Sequence, residues 1–367
     1  MKKTTAIIIG VIIIVVSIIT IKNSPSNTTI LLPTPFTEKK GSSIKTITDK
    51  LDFPTSIGIL PDGRILIAEQ KGNITFLNNN GTLLNRYKLN DSYFNEGAGL
   101  LGLTISPQFN KNNYFYIYYT YKDDNKIFNK IVQLQEKNNT IINKKIIMDK
   151  IPAFQLHNGG VLKFGPDGKL YVSVGDNTIS ESAQNISSLR GKILRINDNG
   201  TIPKDNPFKN STVYSYGHRN VVGLAWDFNN KKLYASEAGA TGNDEINLIE
   251  PGKNYGWPKE ECGGLEKNQF TQPLFCFTPS IYPAGMIISN STNLGYYGKL
   301  IVATLNGEHL RLIDLNSKEQ SIILTGFGQL KDVAEDKEGF LFVITANKDF
   351  YQNTGSDKLL KIIKNDQ

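Results

Sequence analysis

Three histidines and two cysteines are all that 367 residues offer. Zinc-finger and iron–sulfur frameworks, which need clusters of these residues, are therefore excluded. No arginine-rich run and no basic helix is present. The formal charge of +7, from 41 Lys and Arg against 34 Asp and Glu, is spread thinly along the chain, so nucleic-acid binding has little support. Long patterns of 3.6-residue period are few, which leaves helices a minor role. Disorder is excluded as well, because 39% hydrophobic and 20% charged residues describe a chain that builds a core. What the sequence does hold is 32 Gly, 15 Pro, 16 Tyr and 18 Phe, a mixture of turn formers and aromatics that favours β structure.

The long apolar run extends from Ala6 to Ile21 and is preceded by Lys2 and Lys3. Its length suits either a short membrane span or a signal peptide. A small-x-small cleavage site is not obvious after it, which favours an uncleaved anchor. The positive flank then stays in the cytoplasm and the rest of the chain lies outside. Residues 1–22 are read as this anchor or signal, 23–44 as a Pro-, Ser- and Thr-rich tether, and 45–367 as the folded body. Cys262 and Cys276 could close a short disulfide loop or remain two free thiols, and export favours the disulfide. Several Asn-x-Ser/Thr triplets, Asn73 and Asn185 among them, are compatible with export but arise easily in an Asn-rich chain.

The body repeats one pattern six times. TSIGILPDGRILIAEQKGNITFL begins at Thr55, GLLGLTISPQFNKNNYFYIYYT at Gly99 and GGVLKFGPDGKLYVSVGD at Gly159. VGLAWDFNNKKLYASEAG begins at Val222, GKLIVATLNGEHLRLIDL at Gly298 and KDVAEDKEGFLFVITA at Lys331. Each is a short strand, a polar turn and a second β-branched or aromatic strand. Six such hairpins at blade-like spacing predict an all-β, six-bladed propeller, with the functional loops gathered at one mouth of its central channel.

Some residues break the strand pattern. His157 and His218 each lie beside glycines just before a strand. A histidine with one nitrogen held by a carboxylate can take a proton from a hydroxyl through the other, and Asp176, at the end of the hairpin that His157 opens, is the candidate carboxylate. Arg219 is a permanent cation able to stabilise charge developing on oxygen. The stretch from Glu237 to Pro258 combines glycines with Asp244 and Glu245. Its exposed carbonyls and carboxylates suit calcium, and a plain acidic turn is the other reading.

The strings GLLGL, HNGG-x-L-x-FGPDG-x-LY-x-x-x-GD, GKILRI with DNPF, YGHRN, DEIN-x-I and NYGWP follow one another from Gly99 to Pro258, and KDV-x-x-x-x-x-G-x-LFV closes the chain at Lys331–Val343. Together they resemble the soluble quinoprotein glucose/sorbosone dehydrogenase family over roughly residues 45–365. The resemblance implies a six-bladed propeller that binds pyrroloquinoline quinone (PQQ) and calcium and oxidises aldose sugars at the anomeric carbon. It assigns His157 as general base, Asp176 as its support, and Arg219 and Asn220 as quinone contacts, with Gln184 near a polar cofactor contact. Gly239 and Ala240 match carbonyl ligands of a cofactor-side calcium, and Glu245 and Tyr255 match ligands of a structural one.

The chain also departs from the family's pattern. Asn306 stands where the family often has a lysine that pairs with the cofactor carboxylates. Gln329 and Lys331 stand in place of two arginines, so Lys331 retains only part of that charge. The expected activity is therefore sugar oxidation outside the cytoplasm, with a sugar substrate, an unidentified electron acceptor and the membrane, through the N-terminal segment, as partners. The rival readings are a non-catalytic binding propeller and a calcium-dependent propeller hydrolase or lactonase.

Overall fold

The computed structural model describes residues 42–240, 242–264, 269–348 and 355–364. The segment 1–22 and most of the tether lie outside the described residues. Among the described residues no helix is long and apolar enough to cross a membrane. Helix is confined there to Phe109–Asn112 and a 3-10 turn at Ser180–Gln184.

Six four-stranded antiparallel sheets make up the body. Their innermost strands are Pro54–Ile59, Leu100–Ile105, Leu162–Phe164, Val221–Asp227, Pro283–Ile288 and Leu330–Glu335. Each touches the next around a ring, and the last returns to the first. The expected six-bladed propeller is the observed fold. The second strands read as near-continuous apolar runs, such as Ile65–Glu69, Leu300–Thr304 and Leu341–Thr345, because both their faces are buried between neighbouring blades. The core accordingly divides into six clusters, one at each blade interface.

Ser42–Leu51 pairs antiparallel with Asp357–Lys364, so the first and last strands share the sixth blade. This closure leaves the ring without an open seam. It also brings Ser42 to Ile44, from the stretch read as a tether, into a sheet.

One hairpin sits elsewhere than its repeat suggests. The fifth repeat forms the middle pair of its blade, Leu300–Thr304 with His309–Ile313, whereas the inner strand is the earlier Pro283–Ile288. The strand pattern there is interrupted by Gly285. A Cβ on Gly285 would lie 2.0 Å from Asp332 Oδ1, so the glycine admits the carboxylate of the neighbouring blade at the expense of a legible strand.

Candidate active site

His157 precedes the inner strand of the third blade and is held at φ 52°. A non-glycine residue in this left-handed region costs on the order of 1–3 kcal/mol, and such strain gathers at functional sites. Three contacts hold it there. Asn177 donates to the His157 carbonyl from its side chain at 3.0 Å and from its backbone at 3.2 Å. Gly175 packs so tightly against that carbonyl that a Cβ would approach it to 2.1 Å. His157 Nδ1 meets Asp176 Oδ1 at 2.8 Å. With an ionised Asp176, Nδ1 carries the proton and Nε2 is left as the acceptor.

Asp176 is 1% exposed in its side chain, against 18% for His157. Burial raises its carboxyl, but the hydrogen bonds from His157, the Thr178 amide and Trp257 outweigh that and hold it below the ordinary carboxylate value. Thr178 N–H donates to Oδ1 at 2.8 Å and Trp257 Nε1 to Oδ2 at 2.8 Å. The Asp176 amide donates to the Arg219 carbonyl at 2.8 Å, which ties the third blade to the fourth. Arg219 donates from its side chain to the Ala238 carbonyl at 2.9 Å and from its backbone to Glu237. Its guanidinium lies 5.5 Å from the centre of the Trp257 ring. Asn220 accepts from the Gly159 amide at 3.2 Å.

His157, Arg219, Asn220, Gly239 and Lys331 line one cavity of about 470 Å³ at the channel, together with Gln329 and Lys348. That volume falls within the range of small-molecule sites, ~300–1,000 Å³. Arg219 and three lysines, Lys163, Lys331 and Lys348, outnumber the two carboxylates of the lining, Asp244 and Asp332, which suits an anionic occupant. Asp176 is not part of the lining and acts from behind His157.

Two of the expected cofactor contacts are placed otherwise. Gln184 bridges Asn254 Oδ1 and the Trp257 carbonyl, at 3.1 and 2.7 Å. It braces the loop that carries Trp257 and does not line the cavity. Asn306 is exposed beside Ser280, at 3.3 Å, and does not line the cavity either. Three residues enter that the sequence reading left out. Trp257 was available in the NYGWP string. Asn177 directly follows Asp176. Lys348 has no motif around it. His218 is fully buried between Ser215 Oγ and Glu237, at 2.9 and 3.0 Å, and stacks on Tyr255, a structural placement.

The loop after Glu237 carries oxygen groups that bear on a calcium site. Gly239 lines the cavity, and the Ala240 carbonyl accepts from the Asn243 amide at 3.1 Å. Glu245 is buried and accepts from Asn247 Nδ2 at 3.0 Å and the Cys262 amide at 2.6 Å. Burial and the neighbouring Glu237 charge push its carboxyl up to about 8. Asn247 Oδ1 is buried with no partner. A buried carboxylate crowded by others beside an orphaned carbonyl oxygen suits a hard cation. The Tyr255 hydroxyl is committed to the Leu248 carbonyl at 2.6 Å, so its share in a metal site falls to its own carbonyl.

Cys262 and Cys276 are free, contrary to the expected disulfide. The ladder sets Cys276 opposite Glu245, and the two sulfurs and the Glu245 carboxylate lie within 4.8 Å of one another. The carboxylate thus lies beside both sulfurs, and the Cys262 thiol donates to the Asp244 carbonyl at 3.6 Å. The contact with Cys276, together with burial, pushes the Cys262 thiol up, which disfavours the thiolate that a soft metal would require.

Residues 51–352 match the family described as glucose/sorbosone dehydrogenase. The aldose sugar dehydrogenase YliI of Escherichia coli K12 is 29% identical over 349 residues, covering 87% of this chain and 92% of the relative. The quinoprotein glucose dehydrogenase B of Acinetobacter calcoaceticus is 33% identical over 267 residues, covering 62% of this chain and 55% of the relative. Among solved structures, the PQQ-bound aldose sugar dehydrogenase of Streptomyces coelicolor superposes with a TM-score of 0.78 at 31% identity, over 89% of this chain and 99% of that one.

Proposed function

The chain belongs to the glucose/sorbosone dehydrogenase family, and from that premise we propose that it oxidises aldose sugars at the anomeric carbon with PQQ and calcium. The observation that carries the reading is the His157–Asp176 contact at a cavity shared with Arg219.

His157 Nε2 takes the proton of the anomeric hydroxyl. Asp176 fixes the tautomer and ring orientation that leave Nε2 free, and it offsets the positive charge that the ring acquires. Arg219, braced by the Ala238 carbonyl and Trp257, stabilises negative charge developing on an oxygen in the cavity. Asn220 sits beside it on the same wall. The residues suited to hold the cofactor are Arg219, Asn220 and Lys331. Gly239 and Ala240 are suited to the calcium on the cofactor side, and Glu245, Asn247 and the Tyr255 carbonyl to the structural one. When bound, the quinone supplies the two-electron acceptor that no side chain can provide.

The apolar segment 6–21 supports a placement outside the cytoplasm, tethered at the membrane, with a separate carrier taking the electrons. Cell fractionation with protease protection tests that placement, which fails if the body is cytoplasmic. The catalytic reading is tested by loading the full chain with calcium and PQQ, then following absorbance and sugar-dependent reduction of an artificial acceptor dye. Saturable quinone binding with dye reduction is the expected result. A folded chain that takes up no quinone overturns it and leaves the binding-propeller reading, which the neutral Asn306 and Gln329 favour.

A further inference from the structure

The sixth blade presents two lysines to the cavity. Lys331 lies on Leu330–Glu335, and Lys348 follows the neighbouring strand Leu341–Thr345. These strands are antiparallel and Leu330 pairs with Thr345. Both lysines therefore leave the same end of one sheet, and both line the cavity with Arg219 of the fourth blade.

The backbone under Lys348 is fixed. Its amide donates to Asp357 Oδ1 at 3.1 Å, as does that of Asn347 at 2.7 Å. Asp357 is fully buried and also receives the Phe53 amide at 3.0 Å. Asn347 Oδ1 in turn receives the Gln329 amide at 3.1 Å. Among the described residues Lys348 Nζ makes no ion pair, although its charge draws the Asp357 carboxyl downward. A half-buried lysine on an anchored backbone, lining the cavity with no ion pair among the described residues, is suited to a carboxylate from outside the chain.

We infer that Lys348 binds a carboxylate of the quinone cofactor, acting with Lys331 beside the neutral Gln329. The inference rests on the proposed function, because it takes the occupant to be the tricarboxylate quinone. One charge-assisted hydrogen bond gained or lost in such a pocket corresponds to ~10–100-fold in affinity.

The test is a titration of the calcium-loaded full chain with PQQ and with its trimethyl ester, read by quenching of intrinsic fluorescence and by equilibrium dialysis. Lys348→Gln is expected to raise the Kd for PQQ ~10–100-fold, and Lys348→Arg to stay within a few-fold of the parent. For the neutral ester, parent and Lys348→Gln should bind alike. Rising salt should weaken PQQ binding more steeply in the parent than in Lys348→Gln. An unchanged Kd in a folded Lys348→Gln chain, with the parent binding PQQ, overturns this inference alone. A parent that binds no PQQ overturns the proposed function and this inference with it. Equal loss of PQQ and ester affinity in Lys348→Gln also overturns it, since the lysine would then serve the shape of the cavity and not the charge of its occupant.

Discussion

Trp257 Nε1 donates to Asp176 Oδ2 at 2.8 Å across 81 residues of sequence. Asp176 therefore spends one oxygen on His157 and Thr178 and the other on an indole from the following blade. Gln184 holds the Trp257 carbonyl at 2.7 Å, so the brace behind the base draws on two blades.

Trp257→Phe removes that donor and keeps most of the ring. Asp176 then rises toward the ordinary carboxylate value, and the acid limb of the kcat profile is expected to move up in pH. At a cost of ~1.5–3 kcal/mol for a hydrogen bond to a charged group, kcat should fall about tenfold or more, with KM less affected. An unshifted acid limb would count against a positioning role.

His157→Ala should leave the fold intact and cut sugar oxidation at least ~100-fold, the usual worth of a general base. Asp176 keeps the Thr178 and Trp257 donors when the imidazole is lost, so the chain should stay folded with a modest drop in melting temperature. Normal turnover by this variant would rule out the mechanism.

His309 supplies a pH test independent of the site. Its Nε2 accepts from Arg311 Nε at 3.1 Å while Nδ1 faces the Gly307 carbonyl, a pattern that requires the neutral ring. Burial, then the Arg311 charge, lowers it to about 4, against ~6.5 in the unfolded chain. Between those values the unfolded state binds the extra proton. Stability is therefore expected to fall as pH drops from about 6.5 toward 4, by roughly 3 kcal/mol at most. Denaturant unfolding across this range should show a flatter slope in His309→Asn, whatever its overall stability.

Calcium removal should lower the melting temperature. A ligand held only by the native state stabilises by ~2.7 kcal/mol at a hundredfold excess over Kd. Calcium should restore the melting point of chelated protein better than magnesium does, and Glu245→Gln should blunt the response. Zinc in place of calcium on elemental analysis would instead implicate Cys262 and Cys276.

Truncation tests the closure. A chain starting at Ser42 retains the whole pairing with Asp357–Lys364 and should fold with an undiminished β signature. A chain starting at Asp52 loses that strand and exposes the edge of the sixth blade, and it should aggregate or melt much lower. Equal stability of the two would show that the ring does not depend on this seam.

The hairpins, their number and the order of the motifs were legible because each is local. A polar turn between two apolar strands is written within about twenty residues of sequence, and His157, Asp176 and Arg219 stand beside glycines that mark them out. The inner strand Pro283–Ile288 was not legible, since Gly285 answers to Asp332 of another blade. Gln184 was read as a cofactor contact and braces Trp257, because its partners lie 70 and 73 residues away. Lys348 carries no local signal at all. It becomes a cavity residue only when Asp357 anchors its backbone and the ring closes. Position within a strand follows from neighbours in sequence, whereas the walls of the central cavity are made of residues from all six blades, and their meeting is decided by the closure between Ser42–Leu51 and Asp357–Lys364.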